Sequence, residues 1–274
     1  MKEAKYKLAI SNLAWDRDED QRVLTLLRKH DIWCIEIACS KIWDNPIETS
    51  ASEIKKYRDY WEKNGIKIVA TTSLLFGHPE LTIFENESTR KKTLDYLNKM
   101  ADVTSELGAG VAMFGSPKNR IKGYLSDSEA TKIAADFFGE IAEYCKKYNI
   151  YFVIEPNPPI YGGDYILTMQ EGVDLAKKVN HPNFGLNLDA STIASSGAEY
   201  KNDVKIAVPY AYHAHISEPY LKPIPNGETE HEAFAAALKQ NGYDKWLSIE
   251  MPLKDDVDHL MQIEKTLEFV ESVY

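Results

Sequence analysis

Short apolar runs recur along the chain, and each closes on polar residues before a longer stretch of helical periodicity begins. Eight runs stand out, at residues 8–10, 33–38, 66–70, 110–114, 150–154, 184–188, 211–216 and 246–249. They are rich in β-branched and aromatic residues and mostly uninterrupted, as strands buried on both faces of a parallel sheet are. Helical stretches lie between them, at 20–30, 50–64, 88–107, 126–148, 168–179 and 231–241, with a last one at 256–273. In the first, Val23, Leu24, Leu26 and Leu27 fall on one face. Ser50, Ser88, Ser126 and Thr168 stand where N-caps are expected. Asn64-Gly65, Leu107-Gly108 and Asn241-Gly242 read as stops. The helical pattern is weakest between Asp189 and Ala211.

Eight alternations of strand and helix predict parallel βα units. The step is roughly 34 residues, which is the repeat of a (β/α)8 TIM barrel. A doubly wound open sheet is the alternative, and it ordinarily carries a glycine-rich phosphate turn after its first strand. Here that strand runs into Ser11-Asn12-Leu13-Ala14-Trp15, with no glycine. No Ser/Gly linker, charge run or low-complexity tract divides the chain. It therefore reads as an α/β protein, a single TIM-barrel domain over residues 1–274.

In such a barrel the chemistry sits at the C-terminal ends of the strands. The fifth run ends in Glu155-Pro156-Asn157, the sixth in Asn187-Leu188-Asp189, the seventh in His213-Ala214-His215, and the eighth in Ser248-Ile249-Glu250. Side chains alternate along a strand. If Glu155, Asp189, His215 and Glu250 point inward, Val153, Asn187, His213 and Ser248 lie one layer below them. Three converging carboxylates repel one another and lose hydration, at about several kcal/mol per ion. A divalent cation removes that conflict. Three oxygen ligands and one imidazole suit Mn²⁺, Mg²⁺ or Co²⁺, with Zn²⁺ also admissible. One acid at a strand end is ordinarily a helix cap or a salt-bridge partner. Four groups at one depth on adjacent strands argue for a metal site.

Other residues near the strand ends are candidates for substrate contact. Trp15, Trp43, Phe76 and Tyr161 follow strands one, two, three and five, and aromatic rings at a mouth suit the apolar face of a sugar. Lys118, Asn119 and Arg120 read either as a solvated loop or as groups for substrate hydroxyls or a phosphate. Asn157 is placed to donate to a substrate hydroxyl beside Glu155. His213 and Glu218 are counted as substrate contacts, although His213 also reads as a donor behind His215 or a filler of the barrel layer. Glu36 interrupts an apolar run, and either faces the pocket or pairs with a lysine on an outer helix. His231 reads as a surface cap.

Composition narrows the partners. Lys and Arg total 32 against 42 Asp and Glu, a formal charge of −10. A protein that neutralises a nucleic-acid backbone needs the opposite balance. The three cysteines, Cys34, Cys39 and Cys145, are odd in number and form no CxxC, so neither a disulfide framework nor a cysteine zinc site is expected. The N-terminus does not read as a signal peptide, and no run approaches the roughly 18 apolar residues of a membrane span. A cytoplasmic protein with no membrane partner is expected, with homo-oligomerisation left open.

With these residues in place, the chain resembles the xylose isomerase-like TIM barrels, the sugar (phosphate) isomerase/epimerase superfamily, over essentially its whole length. The Glu…Asp…His…Glu order is the most diagnostic part. Further motifs match a subgroup of that family: Ser11-Asn-Leu-Ala-Trp15, Phe114-Gly-Ser-Pro-Lys-Asn-Arg120, Glu155-Pro-Asn-Pro158 and His215-Ile-Ser-Glu-Pro219. The resemblance implies one divalent metal on Glu155, Asp189, His215 and Glu250, with Glu155 and Glu250 also serving as the acid/base pair. Two positions depart from the pattern of many ketohexose epimerases. Thr192 stands where they have a histidine, and Leu221 where they have an arginine. The implied activity is a metal-dependent isomerase or epimerase of a sugar, keto-sugar or sugar phosphate, acting by proton transfer next to a carbonyl through a metal-stabilised enediolate. A keto-polyol (inosose-type) dehydratase on the same site is the alternative, as is a sugar-binding barrel without catalysis. Apurinic endonucleases of the superfamily use a three-zinc cluster, which needs more strand-end histidines than His213 and His215.

Overall fold

The computed structural model describes residues 6–252 and 258–274. Eight parallel strands close into a barrel in sequence order. They are β1 (Lys7–Ser11), β2 (Cys34–Ala38), β3 (Lys67–Thr72), β4 (Val111–Phe114), β5 (Tyr151–Ile154), β6 (Phe184–Asp189), β7 (Ala211–Ile216) and β8 (Trp246–Ile249). Pairing of β8 with β1, Lys7 opposite Trp246 through Ile10 opposite Ile249, completes the ring. The expected TIM barrel is what the chain forms.

Helices cover the outside: α1 (Asp20–Lys29), α2 (Ala51–Lys63), α3 (Glu87–Glu106), α4 (Asp127–Lys146), α5 (Met169–Val179), α6 (Ala190–Ser196), α7 (Tyr200–Ala207), α8 (His231–Gln240) and α9 (His259–Val273). Ser50, Ser126 and Thr168 cap α2, α4 and α5 by accepting the N–H of Glu53, Glu129 and Glu171. The cap of α3 is Asn86 rather than Ser88. Its backbone is extended and its Oδ1 accepts the Thr89 N–H at 2.8 Å, which leaves Ser88 inside the first turn. The weak stretch after β6 holds two short helices, α6 and α7, parted at Gly197, whose φ of 69° is left-handed. The expected start of the last helix at residue 256 lies outside the described residues, and Asp258 caps α9.

Alternation along each strand divides the interior. Ile35, Ile37, Phe114, Phe152, Leu186, Leu188, Leu247 and Ile249 face the helices in one continuous core. Residues of the other parity face into the barrel. On one side of its interior these are apolar, with Ala70, Val111, Met113 and Val153 packed together. Elsewhere Ala9, Cys34 and Val69 pack together, and Glu36, Asn187, His213 and Ser248 are buried polar groups. Two register shifts serve this arrangement. One lies between Ile35 and Glu36 against β3, the other between Leu186 and Asn187 against β7. In each the partner strand carries the extra residue, Val69 on β3 and Tyr212 on β7, so the bulge on β7 sets the face that His213 and His215 take beyond it.

All three cysteines are buried and unpaired. Burial pushes the Cys39 and Cys145 thiols up to about 12 and Cys34 to about 11, as inert thiols. Among the described residues no helix is long and apolar enough to cross a membrane.

Candidate metal centre

Four side chains converge at the C-terminal mouth. Glu155 follows β5, Asp189 ends β6, His215 stands near the end of β7, and Glu250 follows β8. One ligand atom from each lies within 4.8 Å of all the others. Exposure is 0% for His215, 3% for Asp189 and 7% for both glutamates. His215 Nδ1 sits 3.3 Å from Glu155 Oε2, 3.2 Å from Glu250 Oε2 and 4.0 Å from Asp189 Oδ2. Despite this closeness it has no aligned hydrogen bond.

Each member is held by its own partners. The Asn157 amide donates to Glu155 Oε1 at 2.7 Å and the Asn187 amide to Oε2 at 2.6 Å. Asp189 Oδ1 accepts the Thr192 N–H at 2.6 Å and the Ser191 hydroxyl at 2.7 Å, so it also caps α6. Its Oδ2 accepts the Ser217 hydroxyl at 2.6 Å. A carboxylate oxygen has two lone pairs, so these bonds orient the acids without saturating them. His215 Nε2 lies 3.2 Å from Glu36 Oε2, and His213 Nε2 lies 2.6 Å from the same oxygen. Donation from Nε2 to Glu36 leaves the Nδ1 lone pair aimed at the three acids, the tautomer a metal ligand needs.

The electrostatics describe a site short of positive charge. Burial raises the carboxyl of Asp189, with Glu155 adding to the effect, and burial likewise raises Glu250 against the pull of His215. Burial works against a charged His215, yet Glu250 and Glu36 push its imidazole well above the ordinary histidine value. Burial also opposes the charge on Glu36, but the His215 and His213 rings hold that carboxyl well below the usual range. Three buried acids and an unaligned imidazole nitrogen, all within one ion's reach, fit a divalent cation. Glu36, His213 and His215 form a second close group. It lies beneath the first and is fully buried, and it shares the His215 ring through Nε2 while Nδ1 faces the three acids.

A cavity of about 700 Å³ opens over the three acids, with His215 buried beneath them. Phe76, Lys118, Asn157 and Tyr161 line it, as do Thr192 and Leu221. A second cavity, of about 680 Å³, lies at the opposite, N-terminal ends of the strands around Lys67, Tyr151 and Trp246, away from these acids.

Several expected contacts lie elsewhere. Trp15 is core, not mouth: its ring packs edge-on against Trp61 at 6.4 Å and its Nε1–H donates to Asp20 at 2.7 Å. Trp43 packs edge-on against Tyr57. Arg120 is fully buried instead of rimming the pocket. It donates to the Glu155 carbonyl and Asn157 Oδ1, both at 2.8 Å, and to the Tyr165 carbonyl at 3.0 Å, so it positions the β5 loop from behind. Burial pushes its guanidinium down to about 10. His213 faces Glu36 and is sealed from the cavity. Glu218 accepts the N–H groups of Asn226, Gly227 and Thr229, which fixes the loop after β7. His231 is no surface cap, because it is buried between Tyr274 and Glu218. Glu36, whose direction the pattern left undecided, points inward. Ser191 and Ser217 carried no signal beyond their closeness in sequence to Asp189 and His215.

Residues 24–273 match the model of the xylose isomerase-like TIM barrel family. The chain belongs to that family. Within it, the xylose isomerase of Fervidobacterium gondwanense is 26% identical over 164 residues, 56% of this chain and 38% of that protein. The match thus spans well under half of that relative's length. Among solved structures, a D-psicose 3-epimerase crystallised with D-fructose superposes with a TM-score of 0.81 at 16% identity, covering 97% of this chain and 98% of that one. A 3-keto-D-glucoside 4-epimerase from E. coli gives 0.82 at 12% identity, over 98% of this chain and 100% of the other. At such identities the likeness carries the xylose isomerase-like fold.

Proposed function

We propose that this chain is an isomerase, a divalent-metal-dependent sugar or keto-sugar isomerase or epimerase that moves a proton next to a carbonyl. One observation carries the reading. Glu155 and Glu250 stand just after β5 and β8 and both border the same cavity, with Asp189 and His215 between them. A substrate in that cavity meets a carboxylate on either side. One takes the proton from the carbon beside the carbonyl, and the other returns it. Asn157 and Asn187 hold Glu155 in place for this exchange. A divalent cation on Glu155, Asp189, His215 and Glu250 supplies polarisation of the carbonyl when bound. Lys118 and Tyr161 are assigned to substrate hydroxyls at the rim. The epimerase and isomerase activities of the superposed and related proteins support the reaction class, and three unpaired thiols support a cytoplasmic setting.

The test is solvent exchange. Purified protein with Mn²⁺ in D₂O is expected to place deuterium in recovered D-fructose or D-psicose. Glu155→Gln and Glu250→Gln should each slow this about 100-fold or more. Loss of water from a keto-polyol instead of exchange would reassign the site to a dehydratase. Exchange that survives both substitutions would sink the proposal.

A further inference from the structure

We infer that Arg120 is a positioning residue for the proton-transferring carboxylate of Glu155, and that it acts through Asn157, whose side-chain amide it locks with the N–H end towards Glu155. The inference rests on the proton-transfer reading above and adds to it the group that keeps one of the two carboxylates aimed.

The chemistry of these three groups permits one arrangement. A guanidinium only donates and a carboxylate only accepts, whereas an amide does one at each end. Asn157 stands between the other two. Arg120 Nη2 donates to its Oδ1 at 2.8 Å, and its Nδ2 donates to Glu155 Oε1 at 2.7 Å. The Asn187 amide donates to the other oxygen, Oε2. In proton transfer Glu155 alternates between carboxylate and carboxylic acid. The acid form can donate, and a free amide would then flip to accept its proton and hold it away from the substrate. With Oδ1 bound to Arg120 the flip would set N–H against N–H. Asn157 therefore stays a donor in both states, and the proton that Glu155 carries is kept off the Asn157 side.

Two further observations meet at the same amide. Arg120 is fully buried, yet its hydrogen bonds go to the carbonyls of Tyr165, Glu155 and Ile166 and to Asn157, never to a carboxylate, and its Nη1 has no partner. Burying a cation without a counter-ion is costly. Tying loop carbonyls needs only N–H donors, which a neutral side chain supplies. The charge adds a strong bond to Asn157 Oδ1. Ile166 is the second case. Its φ is 56°, a left-handed backbone that is an outlier for a β-branched residue. Its carbonyl accepts the Asn157 backbone N–H at 3.0 Å and lies 3.4 Å from Arg120 Nη2. Such strain persists where the surroundings over-determine it, and it clusters at functional sites. Asn157 also precedes Pro158, which restricts its own backbone.

A double-mutant cycle on deuterium exchange into D-fructose with Mn²⁺ tests the route. Arg120→Gln and Asn157→Ala are each expected to slow exchange about 10- to 100-fold, in kcat, with KM held within about twofold. The double variant should be no slower than Asn157→Ala alone, because Arg120 then has nothing left to orient. Additive losses would mean that Arg120 only braces the fold, and would overturn the inference. Side-chain amide NMR spectra of the metal-free protein give a readout independent of turnover. The Asn157 signal, identified by its loss in Asn157→Ala, should show one proton far downfield in the native chain and a closely spaced pair in Arg120→Gln. A signal that stays in place overturns the inference. If Arg120→Gln does not fold, Asn157→Asp decides. It keeps a partner for Arg120 and loses the donor to Glu155, so it should fold and exchange as slowly as Asn157→Ala. Exchange at the native rate in that variant would overturn the inference. No exchange in the native chain would overturn the proton-transfer reading instead, and the amide spectra would still decide whether Arg120 orients Asn157.

Discussion

Glu36 is the residue whose role changes most between sequence and structure. It sits in the middle of Ile35-Glu36-Ile37, fully buried, and accepts from both His213 and His215. Its charge holds the His215 ring in the orientation and tautomer that present Nδ1 to the three acids. A glutamine in its place keeps the shape and loses the charge. Glu36→Gln is expected to weaken Mn²⁺ binding by about 10- to 100-fold, the usual cost of removing a carboxylate behind a histidine ligand. Calorimetry on the folded variant checks this, and unchanged affinity would mean that Glu36 only fills space. Asp20 makes a second residue-scale case. It is buried beneath the Trp15 indole, and burial pushes its carboxyl up to about 6 despite that hydrogen bond. An unfolded aspartate titrates at about 3.9. Between these values the native state binds the proton more tightly, so this group adds stability as pH falls through 6 and removes it as pH rises. Asp20→Asn should therefore be more stable than the parent at neutral pH, by an amount of order 1 kcal/mol after allowing for partial solvent screening. Denaturant titrations should show the gap closing towards about pH 4. A gap independent of pH would place the effect in packing.

At the scale of elements, the strands were legible because burial on both faces leaves apolar runs with few interruptions. The end of β3 was not: the strand runs on to Thr72, beyond the apolar residues that reveal it. Asp189 explains the weak stretch that follows. It ends β6, caps α6 and belongs to the acid cluster, so one residue does three jobs with no helical pattern ahead of it. The four convergent residues were legible because charge in an apolar context is rare. Phe76, Lys118, Asn157 and Tyr161 do line the cavity, and the assignments that failed share one physical reason. Order along a chain gives the height of a residue but not the turn of its side chain in a loop, and Trp15, Arg120 and Glu218 all turn inward. Gly185 marks a constraint within β6. A Cβ there would overlap the Tyr210 carbonyl and the Tyr212 ring, and Tyr212 stacks on Tyr151 at 3.9 Å. Gly185→Ala is expected to cost about 3 kcal/mol in denaturant unfolding, by displacing backbone as well as ring. A loss below about 0.5 kcal/mol would show that the strand moves aside freely.

For the whole molecule, closure of the ring turns eight similar units into one object with two unlike ends. The N-terminal end is framed by Lys7, Lys67 and Lys245 around a stacked tyrosine pair, while the other end gathers acids. Lys29 of α1 pairs with Glu264, and His30 just beyond it lies 3.0 Å from Glu271 Oε1, so the first and last helices are joined around the outside. Glu36, Glu155, Asp189 and Glu250 lie in one tube. They outnumber the one imidazole set among them, His215, and Arg120 behind the β5 loop gives its hydrogen bonds to carbonyl and amide oxygens. In a chain of net charge −10, that imbalance projects a negative potential out through the mouth, concentrated by the low-dielectric walls. A small cation approaching from solution is therefore steered before it touches any ligand. Its rate of arrival falls as salt shortens the reach of the field to about 10 Å at 0.1 M, while its rate of departure, set by contacts inside the barrel, stays nearly constant.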